Sequence, residues 1–462
     1  MNCVALTTGN SDRADLLDEQ QRIDRLVRQL QWQTDVPLWV FAHSEAIKAV
    51  AFDQPLVFGP RGRVVHRIFG IAGNGVAALL VFWAIGLAVV VRRWFGVALS
   101  KKMSADGVLV GMGAGSEEPL FERFKAETVG FALCVRHDAP RTFGNVCKPT
   151  LGSLLEQLWA ECKKVYAGLR QSGEAAIAGR FSMWMTVSAM RVGTYTFIKV
   201  WAAQLPPEVK RVVFIAADVQ CFAAVDGRHR DQCYMVEYWQ HGLHSRWFLI
   251  PPVDRIVALN NIEGRQMHCL SGRPFHVIGA RRAPSRSQHT ATLLFASIYT
   301  GAGFDKKNHI VLLQQLIDWA AHNALSIVIR PHPREDQSFW VEHFPALKLD
   351  RVARSFADCV GQWRPSLVVS WFSTALLDAL RLGVAPVLLT EGSAPFLRDM
   401  VLPLDRVAFR WPEETELIEN ITRDQTEYQR WVSRRWEEVF APNSVEGVSD
   451  ECNHIAFHGP TR

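Results

Sequence analysis

Four short stretches of this sequence carry residue types that could do chemistry. The first is Arg330-Pro331-His332-Pro333. A guanidinium fork can grip a phosphate through two N–H groups, and an imidazole can donate a hydrogen bond to a phosphate oxygen. The flanking prolines hold His332 on a rigid turn, which fixes its direction at low entropic cost. The plain alternative is a strand stopped by prolines, with Arg and His on a surface loop. The second stretch runs from Ser370 through Ser373 and Thr374 to Asp378. One of Ser373 and Thr374 suffices to cap a helix, so the other hydroxyls, Ser370 included, are spare beside a helix N-terminus and suit a diphosphate. Asp378, one turn beyond Thr374, is spaced to accept from a ribose hydroxyl or an amine, or simply to be solvated. The third is Trp239-Gln240-His241-Gly242. His241 at a strand end is either a general base or a buried histidine in a turn. In the fourth, Gly111, Gly113 and Gly115 precede Ser116-Glu117-Glu118. The glycines resemble a phosphate-cradling loop, but GxGxG is not the dinucleotide fingerprint, and a tight turn is the plainer reading. Glu117 and Glu118 complement a helix dipole, or one faces a cleft as a base.

Each stretch needs an element to position it. Ile327 to Ile329 and Leu367 to Val369 are short apolar, β-branched runs, which predict buried strands ending at the first two motifs. A helix opens at Thr374, with Leu376, Leu377 and Leu380 on its apolar face and Gly383 as its stop. Strands at 293–297, 326–329, 367–369 and 386–389 alternate with helices at 309–322, 356–363 and 374–382. Earlier strands are predicted at 36–42, 107–110, 131–135, 212–216, 234–238, 255–259 and 275–278, with long helices at 151–171 and 177–204. The pattern predicts an α/β fold of two Rossmann-like, doubly wound domains. Residues 1–280 form the first domain, the basic, polar stretch 281–289 a linker, and 290–412 the second domain. Residues 413–462 read as C-terminal helices that pack back on the first domain, and a loose tail.

The totals agree with two domains: 462 residues are too many for one ordinary core. Apolar residues make up 48% and charged ones 21%. A net charge of +5 spread over this length argues against a nucleic-acid partner. The nine cysteines form no CxxC pair and no metal-like set with histidine, which fits reduced thiols in the cytoplasm. The N-terminus lacks the apolar core of a signal peptide. From Ile68 to Val91 no residue carries a formal charge, a run long enough to cross a bilayer. Arg61, Arg63 and Arg67 precede it and Arg92, Arg93, Lys101 and Lys102 follow it, so both flanks favour the cytoplasmic side. That symmetry predicts a re-entrant or interfacial helix at the inner membrane. A helix buried in the core is the alternative.

The order QHG, then RPHP, then SWFST followed by Asp378 and Gly383-Val384-Ala385-Pro386 resembles bacterial transferases that build surface polysaccharides on a two-Rossmann (GT-B) scaffold. These include capsule and lipopolysaccharide glycosyltransferases, the polysialyltransferase and sialyltransferase families with HP and S/ST motifs, and the CDP-glycerol glycerophosphotransferases. The resemblance covers about residues 210–410. It implies a transferase that takes a sugar from a nucleotide-activated donor, CMP- or CDP-linked, to a glycan or lipid-linked acceptor. It further implies that Arg330, His332, Ser373 and Thr374 hold the donor phosphate, that Asp378 lies near the nucleotide sugar, and that His241 acts as base. The acidic motif that supplies the base in several sialyltransferases is absent in that form; Glu117-Glu118 is the nearest pair. The base therefore stays open between His241 and Glu117. With no DxD-like pair, the chemistry is expected to need no metal and no cofactor beyond the donor substrate. Two other expectations share the scaffold: a UDP-sugar 2-epimerase-like enzyme, and a non-catalytic polysaccharide biosynthesis or export protein.

Overall fold

The computed structural model describes residues 26, 36–41, 44–51, 53, 55–96, 106–111, 118–127, 130–134, 149–172, 177, 179–215, 219–228, 232–240, 242–244, 250–277, 290–297, 306–332, 335, 337–351, 353, 355–371, 373–391, 400, 402 and 404–441. Two compact units divide the chain: residues 1–241 with 245–256, and residues 242–244 with 257–462. The sequence places the boundary at 281–289, which lies outside the described residues. The segment after Ile256 groups with the second unit, although its first strands extend the sheet that begins in the first. Glu263 accepts the His244 N–H at 2.6 Å, and Asn261 donates to the Ala441 carbonyl.

The early part of the first unit is helical. Leu38–Phe41 is a 3-10 turn rather than the predicted strand, and it buries Trp39, which stacks on Tyr195. Helices α1 (Ser44–Ala51), α2 (Pro60–Ala72) and α3 (Val76–Gly96) follow. The charge-free run 68–91 is thus not one helix. Gly73, at φ +61°, ends α2, a conformation that L side chains rarely adopt. Then come β1 (Gly107–Gly111), α4 (Glu118–Glu127), β2 (Gly130–Cys134), α5 (Leu151–Gln171), α6 (Phe181–Ala203), β3 (Arg211–Phe214), α7 (Val219–Gly227) and β4 (Met235–Trp239). The strands β5 (Arg255–Ala258) and β6 (Phe275–Val277), joined by α8 (Asn261–Ser271), complete a sheet of order β2-β1-β3-β4-β5-β6. Its pairs β1–β2, β1–β3 and β3–β4 are parallel. Inside it Glu237, wholly buried, accepts two bonds from the Arg211 guanidinium at 2.9 and 3.0 Å and one from the Trp239 indole at 2.9 Å. A buried carboxylate is tolerable only with such partners.

In the second unit every predicted strand and helix from residue 290 to 389 is present. The elements are β7 (Thr290–Ala296), α9 (Lys306–His322), β8 (Ser326–Arg330), α10 (Gln337–His343), β9 (Lys348–Leu349), α11 (Phe356–Trp363), β10 (Pro365–Ser370), α12 (Thr374–Arg381) and β11 (Ala385–Leu389). After them come α13 (Leu404–Val407), β12 (Phe409–Trp411), α14 (Thr415–Arg423) and α15 (Gln425–Phe440). The sheet order is β12-β11-β10-β7-β8-β9, with every pair parallel. Side chains alternate between faces, as a pleated strand requires. Leu293, Phe295, Ile327, Ile329, Leu367 and Val369 meet α9, α12 and α15, whereas Leu294, Val328 and Val368 meet Cys359 and Val360 of α11. Both faces are covered, which is the doubly wound arrangement expected from the near-continuous apolar strands. The C-terminal helices close one face of this sheet. The Tyr428 hydroxyl donates to the Ser366 carbonyl at 2.7 Å and accepts the Ala385 N–H at 2.8 Å, while Trp431 stacks on Phe409.

Candidate functional site

Strand register brings two of the four motifs to one edge. Ala296 pairs with Arg330 across β7 and β8, and Phe295 with Val369 across β7 and β10. Arg330, Ala296 and Ser370 therefore lie side by side at the carboxyl ends of three adjacent strands. Along the sheet, β8 and β9 follow β7 on one side, and β10, β11 and β12 continue on the other. The winding reverses between β7 and β10, the switch point where open parallel sheets bind ligands. His332 follows β8, and Ser373 and Thr374 open α12 directly after β10. The two halves of the predicted phosphate site stand on either side of the β7 end.

The side chains at this edge differ in how far they are already engaged. Arg330 donates from Nη1 to Asp350 Oδ2 at 2.6 Å and to the Ala353 carbonyl at 2.7 Å. Asp350 is fully withdrawn from solvent, and burial alone would raise its pKa. Hydrogen bonds from the Cys359 thiol, Arg330 and the Ala353 N–H, with the Arg330 charge, outweigh that and hold it below the ordinary carboxylate range. Burial, reinforced by Asp350, pushes the Cys359 thiol up. Arg330 thus braces the end of β8 with part of its fork. Ser370 is wholly buried, and its hydroxyl donates to the Ala296 carbonyl at 2.7 Å, tying β10 to β7. Ser373 is the N-cap of α12 and accepts the Ala375 N–H at 3.2 Å. Thr374 is the first helical residue and half-buried. Asp378 lies 3.3 Å from Arg381, which also donates to the Leu259 carbonyl and sits 5.0 Å over the Phe440 ring. Burial pushes the Asp378 carboxyl upward, and the Arg381 charge offsets part of that shift.

Sequence reasoning missed a carboxylate at this edge. Glu335 accepts from the Ser297 hydroxyl at 2.7 and 2.8 Å and from the His332 N–H at 3.1 Å, and its own N–H donates to the His332 carbonyl at 2.8 Å. Ser297 in turn donates its N–H to the Arg330 carbonyl at 3.0 Å. Glu335 thereby locks the turn carrying His332 to the end of β7. Its signal was a carboxylate three residues past His332, the spacing of a side-chain-closed turn. Of the other two motifs, His241 and Glu117 lie outside the described residues. Gly111 ends β1 and wholly buried Gln240 follows β4. The glycine loop thus begins at the β1 side of the first sheet's own switch point, between β1 and β3. Among the described residues no group of three His, Cys, Asp or Glu side chains is placed to hold a metal ion.

No family model matches this sequence, and no curated protein is similar to it at a significant level. Among solved structures, a variant of the wall teichoic acid polymerase TagF aligns with TM-score 0.40 and 9% identity over 86% of this chain and 98% of its own. MnaA of S. aureus with UDP aligns with TM-score 0.40 and 11% identity over 76% of this chain and 95% of its own. A TarM mutant of S. aureus with fondaparinux, alpha-GlcNAc-glycerol and UDP aligns with TM-score 0.35 and 10% identity over 56% of this chain and 58% of its own.

Proposed function

We propose that this protein is a glycosyltransferase of GT-B type, taking a sugar from a nucleotide-activated donor, CMP- or CDP-linked, to a surface-polysaccharide acceptor at the cytoplasmic face of the inner membrane. One observation carries the reading: His332 follows one strand and Ser373 and Thr374 follow another, on either side of the β7 end of a parallel sheet whose winding reverses there. A donor diphosphate or phosphate at this edge meets the N–H and the hydroxyl of Thr374, at the head of α12, and the His332 imidazole. Ser373 contributes through the cap that takes up the Ala375 N–H, and Ser370 through the tie between β7 and β10. Arg330 braces the end of β8 through Asp350, and Asp378 lies on the first turns of α12.

In the transfer step the acceptor hydroxyl oxygen bonds to the anomeric carbon, the bond from that carbon to the nucleotide phosphate oxygen breaks, and the hydroxyl proton passes to a base. The negative charge left on the phosphate is stabilised by the helix N-terminus and His332, so no metal is required. His241 or Glu117 is the base. The test is transfer from CMP-, CDP- and UDP-linked donors, with and without acceptor and with a chelator present. His332→Ala is expected to lower turnover about a hundredfold, Thr374→Val to raise the donor KM, and one of His241→Ala and Glu117→Gln to abolish transfer. Full activity in His332→Ala overturns the assignment. Release of free sugar without acceptor turns the reading to an epimerase-like enzyme, and absence of any donor turnover to a non-catalytic assembly protein.

A further inference from the structure

Helix α2 has its apolar stripe on the wrong side for a soluble protein. Gly62 and Phe69 are buried and His66 reaches Thr186, so that face lies against the body of the first unit. The opposite face shows Val64 (60% exposed), Ile68 (39%) and Ile71 (82%), at the i, i+4, i+7 spacing of one helical stripe. On a helical wheel Arg61 and Arg67 fall about 60° to either side of that stripe, with Arg63 just beyond Arg67, and all three are exposed. The turn after Gly73 is anchored by the Tyr166 hydroxyl, which donates to the Asn74 carbonyl at 2.6 Å.

Helix α3, next in the chain, also has an uncovered stripe. Its residues Ala78, Phe82, Gly86 and Val90 are buried at every fourth position. At Gly86 an added Cβ would lie 2.8 Å from Val192 of α6 and 2.9 Å from Leu158 of α5. The other stripe, Ala77, Leu80, Ala84, Ala88 and Phe95, is exposed and apolar, with exposed Arg92 beside its far end, and only 22% of the most apolar window is buried. At the far end Trp94 is held by the Pro149 carbonyl at 3.0 Å, and Trp159 of α5 lies edge-on to Trp83. Beside α2 a cavity of about 580 Å³ is walled by Val57, Phe58, Val187 and Met190, with Arg61 and Arg191 also lining it.

We infer that this face, α2 and α3 with the adjoining cavity, seats the protein in one leaflet of an anionic phospholipid bilayer, with both helices lying along the interface. Charge selects the occupant. Between Asp53 and Asp106 stand seven Lys and Arg and no Asp or Glu, more than the net +5 of the whole chain. Arginines beside an apolar stripe bury their alkyl stems and extend their guanidinium groups to lipid phosphates. At about 31 Å, α3 has the length to cross a bilayer. It cannot be surrounded by lipid, however, while one side is packed along α5 and α6. The cavity adds apolar walls, from Val57, Phe58, Val187 and Met190, and the exposed Arg61 guanidinium to this part of the surface. This deepens the membrane location proposed above and is read without any substrate, so its failure leaves the transferase reading standing.

The test is flotation of the full-length protein with vesicles of phosphatidylcholine alone and of phosphatidylcholine mixed with phosphatidylglycerol. Binding is expected to the mixed vesicles and to weaken as salt rises. The double variant Val64→Glu/Ile71→Glu changes only exposed side chains. It should keep the wild-type circular dichroism and thermal midpoint and lose at least about tenfold in vesicle affinity. Replacing Arg61, Arg63 and Arg67 together by Gln should lower affinity for the mixed vesicles on the order of a hundredfold, about fivefold for each arginine. Equal binding to both kinds of vesicle, or undiminished binding by the Glu variant, overturns the inference. So does a concentration-dependent dimer that the Glu variant abolishes in the absence of vesicle binding, because the face would then belong to a second copy of the chain.

Discussion

At the scale of single residues, the candidate site is a set of side chains divided between holding the edge and facing it. Ser370, Arg330 and Glu335 hold it: each bonds another strand end at the β7–β8–β10 edge or the segment beyond β9. Ser373, Thr374 and His332 are partly exposed at that edge. The Arg330–Asp350 pair gives a pH prediction with a definite sign. The folded-state pKa of Asp350 is depressed. The stability this contributes is present above the ordinary carboxylate pKa and is lost as pH falls through the folded-state value. Asp350→Asn should therefore cost about 3 kcal/mol near neutrality, and the gap to wild type in chemical denaturation should close at acid pH. A gap that is constant with pH would mean that packing, not charge, dominates. These roles were only half legible. Residue types announced a phosphate grip, but Asp350 lies twenty residues from Arg330, and no local pattern reveals which carboxylate a guanidinium will meet.

At the scale of elements, two packing points decide whether the helices sit as described. Gly193 of α6 meets α3 so closely that an added Cβ would stand 2.6 Å from the Gly86 carbonyl oxygen. Gly193→Ala should cost about 1–3 kcal/mol through overpacking, read as a lowered thermal midpoint. On the second sheet, Tyr428→Phe removes the hydroxyl that serves both the Ser366 carbonyl and the Ala385 N–H, both buried, and should cost about 1–3 kcal/mol in denaturant unfolding. Helix and strand periods were readable wherever the apolar pattern was long or doubly buried, as at 151–171 and 365–370. They misled at Leu38–Phe41, where a short apolar run serves a strand and a buried 3-10 turn equally well. They misled again at 68–91, where hydropathy counts charges and is blind to the backbone conformation of Gly73.

At the scale of the whole molecule, the second sheet has the strand order of a dinucleotide-type Rossmann fold, and the first reverses between β1 and β3. If the second sheet holds the donor, CDP or CMP should raise the midpoint of thermal unfolding more than UDP or GDP, and His332→Ala should remove the shift. At a hundredfold excess over Kd the stabilisation would be about 2.7 kcal/mol. No shift with any nucleotide would count against the donor site. The sequence alone determined the α/β class, the strand that precedes each motif, a hydroxyl cap at Ser373 or Thr374 and the acid-free stretch from 54 to 105. All of these follow from local periodicity, turn chemistry and composition. Tertiary structure decided what depends on residues far apart in the chain. Strand order set RPHP and SWFST on either side of β7, and Glu335 and Asp350 took up partners from other strands. The packing of α3 on α5 and α6 left one apolar side of a long helix uncovered. Periodicity identifies an apolar face, but only the neighbours that cover it, or fail to, determine whether that face is core or surface.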